Sequence, residues 1–169
     1  MRMMFKQAIG RLEIFAGLQP SQITEISDMV ELVCLPAKMV IFEQNTPANF
    51  LYILSQGEVS VRYKPYDGPQ LTIARIQPGG VFGWSAVLQR ELYTSGAVAE
   101  ENSEAYRISS AALHALCEKD PDTGVILLNR LAGVIATRLK STHSQVFQML
   151  VEGVHVAAIT ERVKEGRNV

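Results

Sequence analysis

The apolar positions change period twice along the chain. Residues 3–15 and 20–31 carry helical spacing; in the second segment Pro20 and Ser21 open the run, and Ile23, Ile26 and Val30 recur three and four residues apart. From about residue 32 short β segments take over: ELVCL, MVIF, NFLYILSQG and EVSVRY follow one another with little between them. Within the last, Val59, Val61 and Tyr63 alternate with Ser60 and Arg62, the pattern of a half-buried strand. KPYDGPQ supplies a turn through Pro65, Asp67 and Gly68, and QLTIARI returns from it, with the alternation slipping at Ala74. PGG at 78–80 is a further break, and strands resume at 93–101 and 104–108.

After the strands the period returns to helical. Ser109 or Ser110 caps a short helix, AALHALCEK, and Asp120 followed by Pro121 opens a longer one, with an acceptor at the cap and a proline where no amide hydrogen is missed. Leu128, Leu131, Ile135, Leu139, Thr142, Val146 and Leu150 form one narrow stripe on it, suited to a self-association seam or to a helix laid across a sheet. The predicted fold is mainly β with flanking helices. Short strands about ten residues apart indicate an antiparallel sandwich or a jelly-roll-like double-stranded β-helix, followed by a short helix and a long C-terminal helix. The expected domains are a roll with N-terminal helices over 12–120, the long helix over 121–152, and a tail over 153–169.

Composition narrows the classes. A chain of 169 residues, 47% hydrophobic, supports one core, and a net charge of −1 without long basic runs argues against a polyanion-binding surface. Cys34 and Cys117 stand in apolar contexts, predicting buried thiols in a reducing, cytoplasmic setting. No secretory leader or run of about 18 apolar residues is evident, so no membrane role is expected. The histidines, His114, His143 and His155, show no metal-ligand spacing, and no nucleophile elbow, P-loop or Cys–His pattern occurs. Neither a metal nor catalysis is expected.

Residues of about 12–150 resemble the cyclic-nucleotide-binding domain, the β-roll sensor module of bacterial catabolite-activator and oxygen-sensing regulators. IFAGLQPSQITEIS is similar to its opening helices, and MVIFEQNTPANFLYILSQGEVSVRY to its β-roll, with Gly57 at the turn. IQPGGVFGWSAVL resembles the start of its phosphate-binding cassette, and TSGAVAEENSEAYRISSAAL its last strands and hinge helix. The resemblance implies a short helix whose amides and dipole face a cyclic phosphate, a glutamate on the ribose hydroxyl, and an arginine neutralising the phosphate. Phe82 and Gly83 match the turn, and Ala86 and Leu88 the helix. Trp84 stands at the glutamate position and Tyr93 at the arginine position. An indole cannot accept from a ribose hydroxyl, and a phenol brings no positive charge at pH 7.

The candidate ligand-binding residues are therefore Phe82, Gly83, Trp84, Ser85, Ala86, Arg90, Tyr93, Thr94 and Ser95, with Arg138 and Thr142 of the long helix as weaker candidates. Three occupancies follow. The rings could hold an aromatic or amphipathic small molecule, they could fill the cavity themselves, or a cyclic nucleotide could bind through substituted contacts from Arg90 or Arg138. Self-association is expected through Leu128, Leu131, Ile135, Leu139 and Val146, with a partner protein reading the helix surface. Only VHVAAITERVKEGRNV follows Gly153, too little for a helix-turn-helix unit, so DNA binding by this sequence is not expected.

Overall fold

A computed structural model describes residues 7–88, 90–138 and 140. The expected first helix closes early. Residues 7–10 are helical, the Arg11 and Leu12 amides bond three back to Ala8 and Ile9 at 3.3 and 3.0 Å, and a 3₁₀ turn follows at Glu13–Phe15. Bonds of that span tighten and end a helix. Ile9, Ile14 and Phe15 remain buried. Helix α1, Pro20–Met29, opens on a reciprocal cap between Gln19 and Gln22. It stops before the expected residue 31 because Val30 already enters β1, Val30–Leu35.

The remaining strands are β2 (Val40–Phe42), β3 (Phe50–Gln56), β4 (Val59–Tyr63), β5 (Leu71–Ile76), β6 (Val81–Phe82), β7 (Gly96–Ala99) and β8 (Ser103–Ser109). They form two antiparallel four-stranded sheets, ordered β1-β8-β3-β6 and β2-β7-β4-β5, which close on each other as the predicted β-roll. The slip at Ala74 is a bulge. Val61 pairs with Ala74 but Arg62 with Thr72, so Ile73 stands between two pairings. β6 was not expected, being two residues and too short to alternate. The strand expected over 93–101 is confined to Gly96–Ala99, because the Tyr93 amide and carbonyl bond Thr46 and Asn45 at 2.9 and 2.8 Å instead of joining the ladder.

β3 is buried on both faces, which explains its near-continuous apolar run. Tyr52 and Leu54 point into the roll with Leu35, Val59, Val61 and Phe82. Leu51 points the other way, to the side covered by Ile14, Phe15 and Leu113. On β1 the alternation sends Leu32 and Cys34 outward; Cys34 is exposed, contrary to its apolar context, since two apolar residues there share the outer face. Cys117 is half-buried, and burial pushes its thiol pKa up.

Helix α2 (Ser110–Lys119) is capped by the Ser109 hydroxyl, which accepts from the Ala112 amide at 3.1 Å. Helix α3, described over residues 121–138, opens as predicted. Asp120 accepts from the Thr123 amide at 3.2 Å and from its hydroxyl at 2.6 Å, and Gln22 of α1 donates to that hydroxyl at 2.5 Å. The chain divides into two compact units between Ala132 and Gly133. Leu139, Thr142, Val146 and the tail lie outside the described residues. Among those described, no helix is long and apolar enough to cross a membrane, and no cluster of metal-ligating side chains occurs.

Candidate functional site

The site is built on the turn leaving β6. Gly83 has φ 74°, and a Cβ there would come within 2.8 Å of the Phe50 carbonyl oxygen, so both the backbone angle and the close approach require glycine. The predicted short helix is one 3₁₀ turn, Trp84–Ala86. The amides of Ala86, Val87 and Leu88 bond the carbonyls of Gly83 and Trp84 at 3.2, 2.9 and 3.2 Å. The Ala86 amide is thus not available to an anion as expected, and three residues add little dipole. Ser85 is buried, its hydroxyl 3.4 Å from the Thr94 amide and 3.5 Å from the Thr94 hydroxyl. Ser110, the first residue of α2, donates its hydroxyl to the Ala86 carbonyl at 2.7 Å and so ties the turn to the hinge helix.

Tyr93 turns inward. It is 3% exposed, and its ring lies on Phe42 with centroids 3.8 Å apart and planes 15° from parallel. Phe42 stacks in turn on Tyr52 at 5.7 Å, and Tyr52 on Phe82 at 5.0 Å. The phenol closes the arrangement: it donates to the Phe50 carbonyl at 2.7 Å and accepts from the Phe50 amide at 3.0 Å. Burial pushes its pKa up to about 12, opposed by the bond to Phe50. Where the resemblance implies a phosphate cation, the chain holds a neutral ring sealed to β3.

The other candidates do not converge on this point. Trp84 and Ser95 are half-buried, and Thr94 is exposed. Arg90 is exposed rather than turned inward; its amide bonds the Ser85 carbonyl at 3.2 Å. The arginines of the sheets are engaged elsewhere. Arg62 pairs with Glu100 at 2.8 Å and donates to Ser60 at 2.9 Å, while Arg107 pairs with Glu31 at 2.7 Å and lies 4.4 Å over the Phe50 ring. Hydrogen bonds from Ser60 and Arg62, with Lys38, hold the Glu100 carboxyl at about 2. On α3, Leu128 is 46% exposed while Leu131 is 3% exposed and packed in its own unit. Ile135 and Arg138 belong to the second unit and are half-buried. Burial lowers the Arg138 guanidinium to about 10, leaving it charged at neutral pH.

Sequence reasoning missed Phe42, Phe50 and Ser110. The first two are visible as aromatics on strand segments, but which of them meets Tyr93 depends on the closure of the roll. The fold and the glycine turn define a β-roll sensor module of the type that carries a cyclic-nucleotide cassette. The cyclic nucleotide-binding domain model matches residues 32–120, more than half of the chain. The chain belongs to that family. A solved structure from Geobacter metallireducens, assigned to the cyclic nucleotide-binding proteins, is 30% identical; the match covers 78% of this chain and 97% of that one, with a TM-score of 0.69. The CRP-like cAMP-activated global transcriptional regulator of Mycobacterium tuberculosis is 24% identical over 88% of this chain, which spans 64% of that regulator's length. The regulatory subunit of a cAMP-independent protein kinase A from Trypanosoma brucei shares the fold at 16% identity, with a TM-score of 0.67 over 78% of this chain and 47% of that one. A variant of that subunit with three substitutions, one introducing an arginine, is bound to cAMP.

Proposed function

We propose that this chain is a regulatory domain whose roll has given up the standard cyclic-nucleotide contacts, and that it signals through α2 and the long helix. The observation that carries this is the placement of Tyr93. The residue that the resemblance aligns with the phosphate cation is instead a ring stacked at 3.8 Å on Phe42 and bonded at both backbone atoms of Phe50. Of the occupancies weighed from the sequence, the packing supports the self-filled interior. The test is calorimetry and thermal denaturation with cAMP and cGMP at up to 1 mM. No stabilisation is expected, and micromolar binding of either nucleotide would overturn the reading.

Reversal is the sharper form of the same test. Trp84→Glu with Tyr93→Arg supplies an acceptor and a cation; an introduced arginine is also among the three changes in the cAMP-bound trypanosome variant. If the scaffold is otherwise competent, cAMP stabilises this double variant by about 2.7 kcal/mol at a hundredfold excess over its Kd.

Homodimerisation through α3 is part of the proposal. Leu128 is the exposed apolar residue of the stripe in the first unit, and the spacing continues through Leu139 and Val146. Leu128→Asp with Leu139→Asp should convert a dimer to a monomer in sedimentation without loss of helical signal, and an unchanged sedimentation coefficient would refute the seam.

A further inference from the structure

Helices α2 and α3 meet at a single residue. Asp120 ends α2, its amide bonding the Leu116 carbonyl at 2.8 Å, and starts α3, its carboxylate accepting from the amide and hydroxyl of Thr123. With no loop between the helices, the direction of α3 turns on the backbone of Asp120, which lies outside the helical region at φ −130° and ψ 85°. Just beyond it, a Cβ on Gly124 would come 3.0 Å from the Cys117 Cβ and 3.1 Å from its Cα, so glycine lets α3 lie close against α2 there.

Helix α1 reaches both sides of this joint. Gln22 and Glu25 stand three residues apart and share a face of the helix. Glu25 pairs with Lys119, the last residue of α2, at 2.5 Å, and Gln22 donates its side-chain amide to the Thr123 hydroxyl, in the first turn of α3, also at 2.5 Å. The ion pair is exposed and adds little. The Gln22 contact differs in kind, because Thr123 has no exposed surface and its hydroxyl is bonded on both sides, by Gln22 and by Asp120. Gln22 has a second task as well. Its Oε1 accepts from the Gln19 amide at 2.7 Å and closes the cap of α1. One side chain therefore holds the start of α1 and the start of α3 at once.

We propose that α1 is a clamp on the α2–α3 joint, with Gln22 as its positioning residue, so that the first turns of α1 and α3 open together. The coupling is reciprocal. When the cap of α1 opens, Nε2 is carried away from Thr123; when α3 turns about Asp120, Oε1 is drawn from the Gln19 amide. A molecule that pulled the first turn of α1 open would free the start of α3 without entering the roll. The place of the clamp in signalling rests on the reading that α2 and the long helix carry the output; the clamp itself does not.

Amide hydrogen exchange of the full chain, followed by NMR, reads both ends. The Ile23 amide, bonded to the Gln19 carbonyl at 3.0 Å, reports α1, and the Gly124 amide, bonded to the Asp120 carbonyl at 3.0 Å, reports α3. Gln22→Glu separates the two tasks, since a carboxylate still accepts from Gln19 but has no hydrogen for Thr123. In high salt, which screens the new charge from Asp120, this variant should exchange Gly124 about fivefold faster, as one hydrogen bond supplies, and leave Ile23 within about twofold. Gln22→Ala, which loses both contacts, should speed both amides. Thr123→Val should also speed Gly124, and adding Gln22→Glu to it should bring no further change. An unchanged Gly124 rate in Gln22→Glu overturns the clamp, as does an unchanged Ile23 rate in Gln22→Ala or a Gln22→Glu effect that persists in full beside Thr123→Val. If Thr123→Val misfolds, the two variants at half-buried Gln22 decide the matter. No nucleotide enters these measurements, so their outcome is separate from that of the cAMP experiments above.

Discussion

Removing one oxygen atom tests the closure of the roll. In Tyr93→Phe the ring keeps its place on Phe42, so the stacking energy and almost all of the buried area are retained. What is lost is the phenol that serves both backbone atoms of Phe50, donating at 2.7 Å and accepting at 3.0 Å. Both Phe50 groups are then left without that partner in a buried setting. At roughly 1 kcal/mol net per bond, and more where a buried group stays unsatisfied, the cost is about 2–3 kcal/mol. For a domain of this size that lowers Tm by about 6–9 °C. A pH series adds an independent signature. Tyr93 has a pKa of about 12 against an ordinary 10.0, so its contribution is full below pH 10 and fades as pH rises toward 12, because the unfolded chain ionises first. Tyr93→Phe should lack that alkaline decline. The assay is differential scanning calorimetry of both proteins from pH 7 to 11.5. A Tm difference under about 2 °C at pH 7, with parallel alkaline limbs, would refute the clamp and with it the argument that the interior is sealed.

Three further perturbations read other parts of the structure. Gly57→Ala places a Cβ at φ 86°, 2.8 Å from the Ser103 Cα, and should destabilise by about 2–4 kcal/mol in urea melts. Ser110→Ala removes the 2.7 Å bond to the Ala86 carbonyl while Ser109 still caps α2; about 1 kcal/mol should be lost, with faster amide exchange at Val87 and Leu88 as the local readout. Glu100, held at about 2 against an ordinary 4.5, contributes stability above pH 4.5 that disappears as pH falls toward 2, and Glu100→Gln should flatten that part of an acid-unfolding profile.

The roll was legible because its strands alternate and its turns carry their own chemistry: Asp67 and Gly68, Gly57, and Asp120 before Pro121. The two odd cassette residues were legible as well, since Trp84 and Tyr93 differ in kind from an acceptor and a cation. Their consequences were not. Whether Tyr93 faces a ligand or the core is decided by Phe50, 43 residues away, and by Phe42 on another strand, pairings that only the closed sheets create. Cys34 was misplaced for a local reason: β1 puts apolar residues on both faces, so hydrophobicity alone could not choose between them.

β3 is a partition one strand thick. Phe50, held at both backbone atoms by Tyr93, is followed directly by Leu51, whose side chain faces the opposite side, toward Phe15 and Leu113. The roll and the outer layer share this wall, and its fixed end is pinned from the roll side. A displacement of Tyr93 would be delivered to the residues packed on the outer face across a single peptide bond. Pressure exerted there on Leu51 would return to the aromatic stack by the same route. A domain whose own rings fill its interior, as proposed, would in this sense still be wired between its two sides.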